Sequence, residues 1–143
     1  MPKKRCILLV HHQEEPWNRL TPLLEWPDIA TLRARNCAEA ERALASPEPH
    51  LLVLTEPVLP DGTWAEILAL ARRMPSPVPV VVVSRYVDVD LYLDVLEKGA
   101  WDFIVPPFHA ADLAYVVNGA ILSAPQPVPV STRDEMHAEN YVC

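Results

Sequence analysis

The sequence predicts an α/β domain in which five parallel strands form one sheet with helices on both faces, a three-layer sandwich. Short continuous apolar segments, typical of strands buried on both faces, alternate along the chain with segments of helical apolar spacing. The chain has 143 residues, of which half are hydrophobic and 22% are charged. This length and composition suit a single globular domain, and the alternation favours a parallel sheet joined by right-handed crossovers.

Five segments have the composition of strands. The strongest contains five valines in seven residues, from Val78 to Ser84. Pro79 has no N–H to donate, so regular pairing is expected only beyond it. The predicted strands are Cys6–Val10, about 28–34, His50–Thr55, Val78–Ser84 and Trp101–Val105.

Each strand is followed by a helical segment, and local signals mark several of the ends. Asn36 can cap the second helix. Thr63 and Glu66 have the spacing of a capping box for the third, and Gly99 suits the end of the fourth. The predicted helices cover about 15–26, 37–46, 64–73, 88–98 and 109–123.

Charge and cysteine content narrow the possible partners and compartment. The formal net charge of -7 argues against binding of nucleic acid or a membrane surface within this chain. The three cysteines form no CxxC pair, which favours a reducing compartment. Lys3–Arg5 precedes only five apolar residues, fewer than a signal peptide or a membrane helix needs. We therefore expect a cytoplasmic protein.

The composition changes near the C-terminus. Three of the six residues from Pro125 to Val130 are prolines, and a short polar segment follows. This pattern predicts one domain over residues 1–124 and a disordered proline-rich linker and polar tail over 125–143. A docking segment, or a stub that leads to a further domain, is the alternative interpretation of the tail.

The functional site is expected where the strands end, because ligands of such sheets bind outside the carboxyl ends of the strands. His11 and His12 follow the first strand and Glu56 follows the third. Ser84 ends the fourth strand, and Pro106 follows the fifth. The glycines have neither dinucleotide-binding nor P-loop spacing, so a phosphate-cradling loop is not expected.

Four segments, in this order and spacing, resemble the receiver domain of bacterial two-component response regulators over residues about 4–124. The resemblance implies a flavodoxin-like (βα)5 fold with strand order 2-1-3-4-5. It also implies a protein partner, either a histidine kinase or an output protein. The segments that carry it are Ile7–Val10, Leu51–Gly62, Val80–Ser84 and Glu97–Phe108.

The resemblance also shows where the chain departs from the family. In the family, an aspartate after the third strand accepts a phosphoryl group, and Glu56 stands at that position. Two acidic residues that hold magnesium are replaced by His11 and His12, and a lysine that pairs with the phosphate is replaced by Pro106. The family's hydroxyl and aromatic switch positions correspond to Ser84 and Phe103, which could form a two-state switch or be ordinary strand residues.

These replacements predict that ordinary phosphoryl transfer is lost. Magnesium prefers carboxylate oxygens to imidazoles, and the missing lysine removes a charge that would stabilise the transferring oxygens. We therefore expect an atypical receiver that acts by protein–protein interaction, is not an enzyme and holds no cofactor. Glu56 either imitates a phosphorylated aspartate or is a solvated residue without function. The alternatives are a receiver that is still phosphorylated and, less favoured, a transition-metal module using His11, His12 and Glu56.

The last two helices carry more apolar residues than one buried face requires. We expect the core to take Leu93 and Leu96 from the fourth helix and a stripe of Leu113, Val117, Ala120 and Ile121 from the fifth. The apolar residues of these helices that lie outside the expected core predict a homodimer through the two helices, with a monomer as the alternative. The interface candidates are Leu91, Val95, Tyr115, Val116 and Leu122.

Overall fold

The computed structural model describes residues 5–123, in which five strands form one parallel sheet. In spatial order the strands run β2-β1-β3-β4-β5, which confirms the predicted topology. Proline limits the fourth strand as predicted, since pairing begins at Val80, directly after Pro79. The strands are β1 (Arg5–Val10), β2 (Ile29–Ala34), β3 (His50–Thr55), β4 (Val80–Val83) and β5 (Asp102–Ile104).

Within residues 5–123 each strand of the sheet is followed by an α-helix, and the first helix is shorter than predicted. Pro22 has no N–H for an α-helical hydrogen bond, and the segment from Thr21 to Leu24 tightens into a 3₁₀ turn. A short antiparallel pair, Val58–Leu59 with Gly62–Thr63, precedes the third helix. The helices are α1 (Trp17–Leu20), α2 (Cys37–Leu44), α3 (Trp64–Arg72), α4 (Val89–Glu97) and α5 (Ala110–Ser123).

The predicted helix ends are confirmed. The Asn36 side chain accepts a hydrogen bond from the backbone N–H of Glu39 at 2.8 Å. Thr63 and Glu66 form a capping box, in which Glu66 Oε1 accepts from the Thr63 N–H at 2.7 Å. Gly99 follows α4 with φ of +98°, in the left-handed region that glycine adopts without steric cost.

Two buried clusters, one on each face of the sheet, confirm the three-layer arrangement. One cluster joins the sheet to α2, α3 and α4, through residues such as Ala40, Ile67 and Val95. The other joins it to α1 and α5, through residues such as Trp17 and Val117. Within residues 5–123, none of the helices is both long and apolar enough to cross a bilayer.

The predicted core face of α4 is wrong. Val95 is fully buried and Leu91 packs against the core, whereas Leu93 is 56% exposed and Leu96 only partly buried. Leu91 and Val95 share one face because they are four residues apart, and Leu93 and Leu96 make a rival face of similar character. Apolar spacing alone could not decide between the two.

Most of the predictions for α5 are confirmed. Leu113, Val117 and Ala120 are buried, while Tyr115 and Leu122 are 82% and 84% exposed. Val116 was predicted to be exposed but is 8% exposed, because it packs into the same cluster as its neighbour Val117. Val95 and Val116 are therefore wrong as interface candidates. The Ile121 side chain and the predicted tail, 125–143, lie outside the described residues, and the homodimer stays a prediction.

Candidate functional site

The carboxyl ends of β1 and β3 lie side by side at one rim of the sheet. Val10, the last residue of β1, pairs with Thr55, the last residue of β3. The Glu56 N–H donates to the Val10 carbonyl at 3.0 Å, which extends the pairing by one residue. This register brings the residues that follow the two strands into contact.

Glu56 is held by His12. The His12 backbone N–H donates to Glu56 Oε1 at 2.6 Å, and His12 Nδ1 contacts the same oxygen. Because a carboxylate oxygen accepts hydrogen bonds, this contact is a hydrogen bond from Nδ1 in the tautomer that carries a proton there. Glu56 is 7% exposed, and its carboxylate is therefore a buried group whose partner is within the protein.

His11 turns away from Glu56. Its ring stacks on Trp17, with centroids 4.3 Å apart and an angle of 3° between the planes. Nδ1 of His11 donates to the Gln13 carbonyl at 2.9 Å. Burial, with smaller contributions from Arg33 and Arg35, lowers the pKa of His11 to about 4, although the bond to Gln13 opposes the shift. The ring is therefore neutral near pH 7.

The two imidazoles and the carboxylate do not converge on one point, because His11 is stacked on Trp17 while His12 contacts Glu56. Among residues 5–123 there is no group of three or more histidine, cysteine or acidic side chains that could hold a metal ion. The transition-metal alternative is therefore wrong for this geometry. Magnesium does not fit either, since it needs hard oxygen ligands and the site offers one carboxylate, already in contact with a histidine.

Ser84 is engaged within its own loop. Its hydroxyl donates to the Tyr86 carbonyl at 2.9 Å and accepts from the Tyr86 N–H at 3.3 Å. Ser84 and Glu56 line a common cavity of about 190 Å³. They face the same space, but the hydroxyl is directed to its loop.

The other predicted positions lie around this site. Phe103 is half-buried on β5 and meets Tyr92 edge-to-face, with centroids 5.7 Å apart. Pro106 is joined to Pro107 by a cis peptide bond and carries no charge. The position where the family has a lysine therefore supplies no cation to the cavity.

Two residues at the site were given no functional role by the sequence interpretation. Trp17 lines the cavity that contains Glu56 and is itself 1% exposed. Arg85 lines the same cavity, and its guanidinium carbon lies 5.4 Å from the centre of the Tyr86 ring. Arg85 directly follows Ser84, so its position at a strand end was the available signal. Nothing in the spacing of Trp17 pointed to His11.

Proteins of similar sequence and structure indicate the family to which this chain belongs. No family model matches the chain. A 93-residue segment is 33% identical to the response regulator protein PilR of Pseudomonas aeruginosa and covers 65% of this chain and 21% of PilR. A 105-residue segment is 30% identical to the regulatory protein LuxO of Vibrio cholerae, covering 73% of this chain and 22% of LuxO. The non-phosphorylated HemR receiver domain of Leptospira biflexa is 27% identical, with a TM-score of 0.67, over 88% of this chain and all of that one.

The chain belongs to the response regulator receiver domains. A further receiver structure, that of a LuxO repressor protein from Vibrio parahaemolyticus, supports the fold alone, with 21% identity and a TM-score of 0.68 over 84% of this chain and 94% of that one. The chain spans about a fifth of the length of PilR and LuxO. The resemblance predicted from the sequence is thus confirmed for this receiver domain, and the loss of phosphoryl chemistry at Glu56 stays a prediction.

Proposed function

We propose that this receiver domain transmits signals in the cytoplasm by binding proteins, a histidine kinase or an output protein, and does not accept a phosphoryl group at Glu56. One observation carries the proposal: the buried Glu56 carboxylate receives a backbone and a ring nitrogen of His12 on a single oxygen. The carboxylate therefore already has its partner within the protein when no ligand is bound.

The chemistry of phosphoryl transfer explains why this contact matters. Such reactions depend on positioning and on cations that neutralise the charge of the transferring group. At this site Pro106 supplies no charge, and His11 is buried and stacked on Trp17. Arg85 is the one cation among the residues that line the cavity, and it is solvent-exposed. The described residues thus offer neither a free acceptor nor the cations it would need.

The same contact argues against Glu56 as an imitation of a phosphorylated aspartate. A phosphoryl group carries close to two charges and three acceptor oxygens, whereas Glu56 has one charge, which faces His12. The Ser84 hydroxyl donates to Tyr86 and not to Glu56. We infer that the His12–Glu56 pair holds the residues at the carboxyl ends of β1 and β3 in one conformation, in which the carboxylate is hydrogen-bonded within the protein.

Phosphoryl uptake is tested by incubating the chain with acetyl phosphate and magnesium and measuring its intact mass. We expect no gain in mass. Glu56→Gln is the matched control, because it keeps the size of the side chain and removes its nucleophilic carboxylate. A variant rebuilt with His11→Asp, His12→Asp, Glu56→Asp and Pro106→Lys is the reference for a reactive site. Gain of one phosphoryl group by the native chain, lost in Glu56→Gln, would contradict the proposal.

A further inference from the structure

We propose that the cavity between β2 and α1 binds a free α-amino acid with an apolar side chain. The cavity has a volume of about 270 Å³, which is at the small end of the range for ligand sites. It is separate from the cavity that contains Glu56, although Trp17 lines both. The inference does not depend on whether Glu56 accepts a phosphoryl group.

The sheet and α1 supply two walls of this cavity. Leu9 of β1 is paired with Arg33 of β2, and both residues line the cavity. Thr31 lies on the same side of the sheet as Arg33, because alternate residues of a strand share a face. On the helical wall, Trp17 and Thr21 are four residues apart and therefore adjacent. The Thr21 hydroxyl donates to the Trp17 carbonyl at 2.8 Å.

Two opposite charges line the cavity and are not paired with each other. Arg33 lies on its β2 side, and Glu14 lies on the loop after β1. Within residues 5–123, neither side chain forms an ion pair. A ligand with a single charge would be attracted by one of these groups and repelled by the other. A zwitterion suits both, with its carboxylate bound by the guanidinium through two N–H groups and its ammonium facing Glu14.

Trp17 and His11, which stack on each other, form the buried side of the cavity. The Trp17 indole N–H is buried and has no hydrogen-bond partner among the residues that the structure describes. Buried indole N–H groups ordinarily have an acceptor, and a ligand carboxylate would provide one. His11 Nδ1 donates to the Gln13 carbonyl, so Nε2 of the neutral ring is an acceptor. It is suited to an ammonium group.

The rest of the lining selects the side chain of the ligand. Leu9 is buried and Leu32 half-buried, and both line the cavity beside Trp17. Among the lining residues only Glu14 and Arg33 carry a charge near pH 7. A phosphorylated ligand would bring more negative charge than one guanidinium can offset beside a carboxylate. An amino acid with a branched apolar side chain, such as L-leucine, therefore fits the lining.

The test titrates the full chain with L-leucine and follows the indole N–H signals of its tryptophans by NMR. We expect the Trp17 signal to shift saturably, together with the amides of Asn18 and Thr31, while the Trp101 indole does not move. Two analogues isolate the charged groups, since isocaproate lacks the ammonium and leucinamide lacks the carboxylate. Each analogue should bind about tenfold more weakly than L-leucine, because each loses one charged hydrogen-bonded pair.

Two variants connect each charge of the ligand with one residue. Glu14→Gln should remove the advantage of L-leucine over isocaproate, and Arg33→Gln should remove its advantage over leucinamide. Both side chains are exposed, so the variants should fold. The matched controls, Glu41→Gln and Arg42→Gln, change exposed charges on α2 and should leave all three affinities unchanged.

Three results would overturn the inference. The first is no saturable shift of the Trp17 indole up to the solubility limit of L-leucine. The second is equal binding of L-leucine and isocaproate, which would show that Glu14 recognises no ammonium group. The third is an equal effect of the α2 control variants. None of these results bears on phosphoryl uptake at Glu56, which the intact-mass measurement decides.

Discussion

The backbone N–H of His12 donates to Glu56 Oε1 at 2.6 Å, although 44 residues separate the two along the chain. The contact follows from the alignment of β1 and β3, whose last residues, Val10 and Thr55, are paired. It gives the rim of this receiver domain an internal partner for the carboxylate at the end of β3. The expected consequences extend to stability, pH dependence and ligand binding.

Replacement of His12 should destabilise the domain. His12→Ala removes the ring donor and leaves a buried carboxylate with fewer partners, so we expect a loss of about 1–3 kcal/mol in the free energy of unfolding. Urea unfolding measures this loss. In combination with Glu56→Gln the effects should be less than additive, because both variants remove one contact. Additive losses, or an equal loss in the exposed-residue control His109→Ala, would contradict a direct interaction.

Stability should fall in mildly acidic solution because of His11. Burial lowers its pKa in the folded protein to about 4 from an ordinary 6.5. Between these values the unfolded chain binds a proton that the folded chain does not, so the free energy of unfolding decreases as the pH falls from about 6.5 to about 4. Above that range the contribution of His11 is fully present.

Unfolding in urea across this pH range gives the measurement, with His11→Phe as the test variant. Phenylalanine can stack on Trp17 but does not titrate, so the pH dependence should become flatter. His109→Gln, at an exposed position, should keep the native slope. A native slope in His11→Phe would show that other groups cause the pH dependence.

Gly99→Ala should destabilise the end of α4. The residue has φ of +98°, and a Cβ there would lie 1.9 Å from Arg72 Nη2. Because Arg72 also donates to the Lys98 carbonyl at 2.6 Å, its displacement breaks a contact. We expect a loss of about 1–3 kcal/mol in urea unfolding.

Gly119→Ala is the matched control for this glycine. Gly119 lies within α5, and a Cβ would meet Trp101 at 3.3 Å, a close contact but not a severe clash. Alanine favours a helix over glycine by about 1 kcal/mol, so the net effect should be small. Equal losses in the two variants would mean that backbone conformation at Gly99 does not matter.

The Cys37 thiol should react slowly. Burial and the neighbouring Asp61 carboxylate together raise its pKa to about 12. Asp61→Asn removes the negative charge and should lower the thiol pKa, which increases the thiolate fraction and the rate of alkylation by iodoacetamide. Peptide mapping by mass spectrometry follows Cys37 separately from the other cysteines.

Asn36→Ala is the control for this reaction. Asp61 also accepts hydrogen bonds from the Cys37 and Ala38 N–H groups, at 2.7 and 3.1 Å, so its replacement could loosen α2. Asn36→Ala loosens the same helix end and leaves the Asp61 charge in place. If Asn36→Ala accelerates alkylation as much as Asp61→Asn, fraying of the helix and not charge controls the thiol.

The elements of this fold that depend on local sequence could be predicted, and those that depend on side-chain direction could not. The start of β4 after Pro79 and the caps at Asn36 and Thr63 follow from the chemistry of single residues and were confirmed. The prediction of which face of α4 is buried was wrong, because the face with Val95 and the face with Leu93 have similar apolar character. Only packing against the sheet selects one of them.

The functional site also has one part that the sequence predicted and one part that it did not. Strand order placed His12 and Glu56 at one rim, since neighbouring strands end together. The opposite direction of His11, onto Trp17, depends on the loop after β1, and no sequence spacing specified that stack. The separation of the two histidines is what removes the metal site that the sequence left open.

The most direct test of the His12–Glu56 pair as a closed site is an NMR titration of the native chain with magnesium and beryllofluoride. If Glu56 is held by His12 and no metal fits, the amide signals of Glu56, Ser84 and Arg85 should not move. Saturable shifts of these amides on addition of both ligands, absent in Glu56→Gln, would show that the rim still binds a phosphoryl analogue and would contradict the central claim.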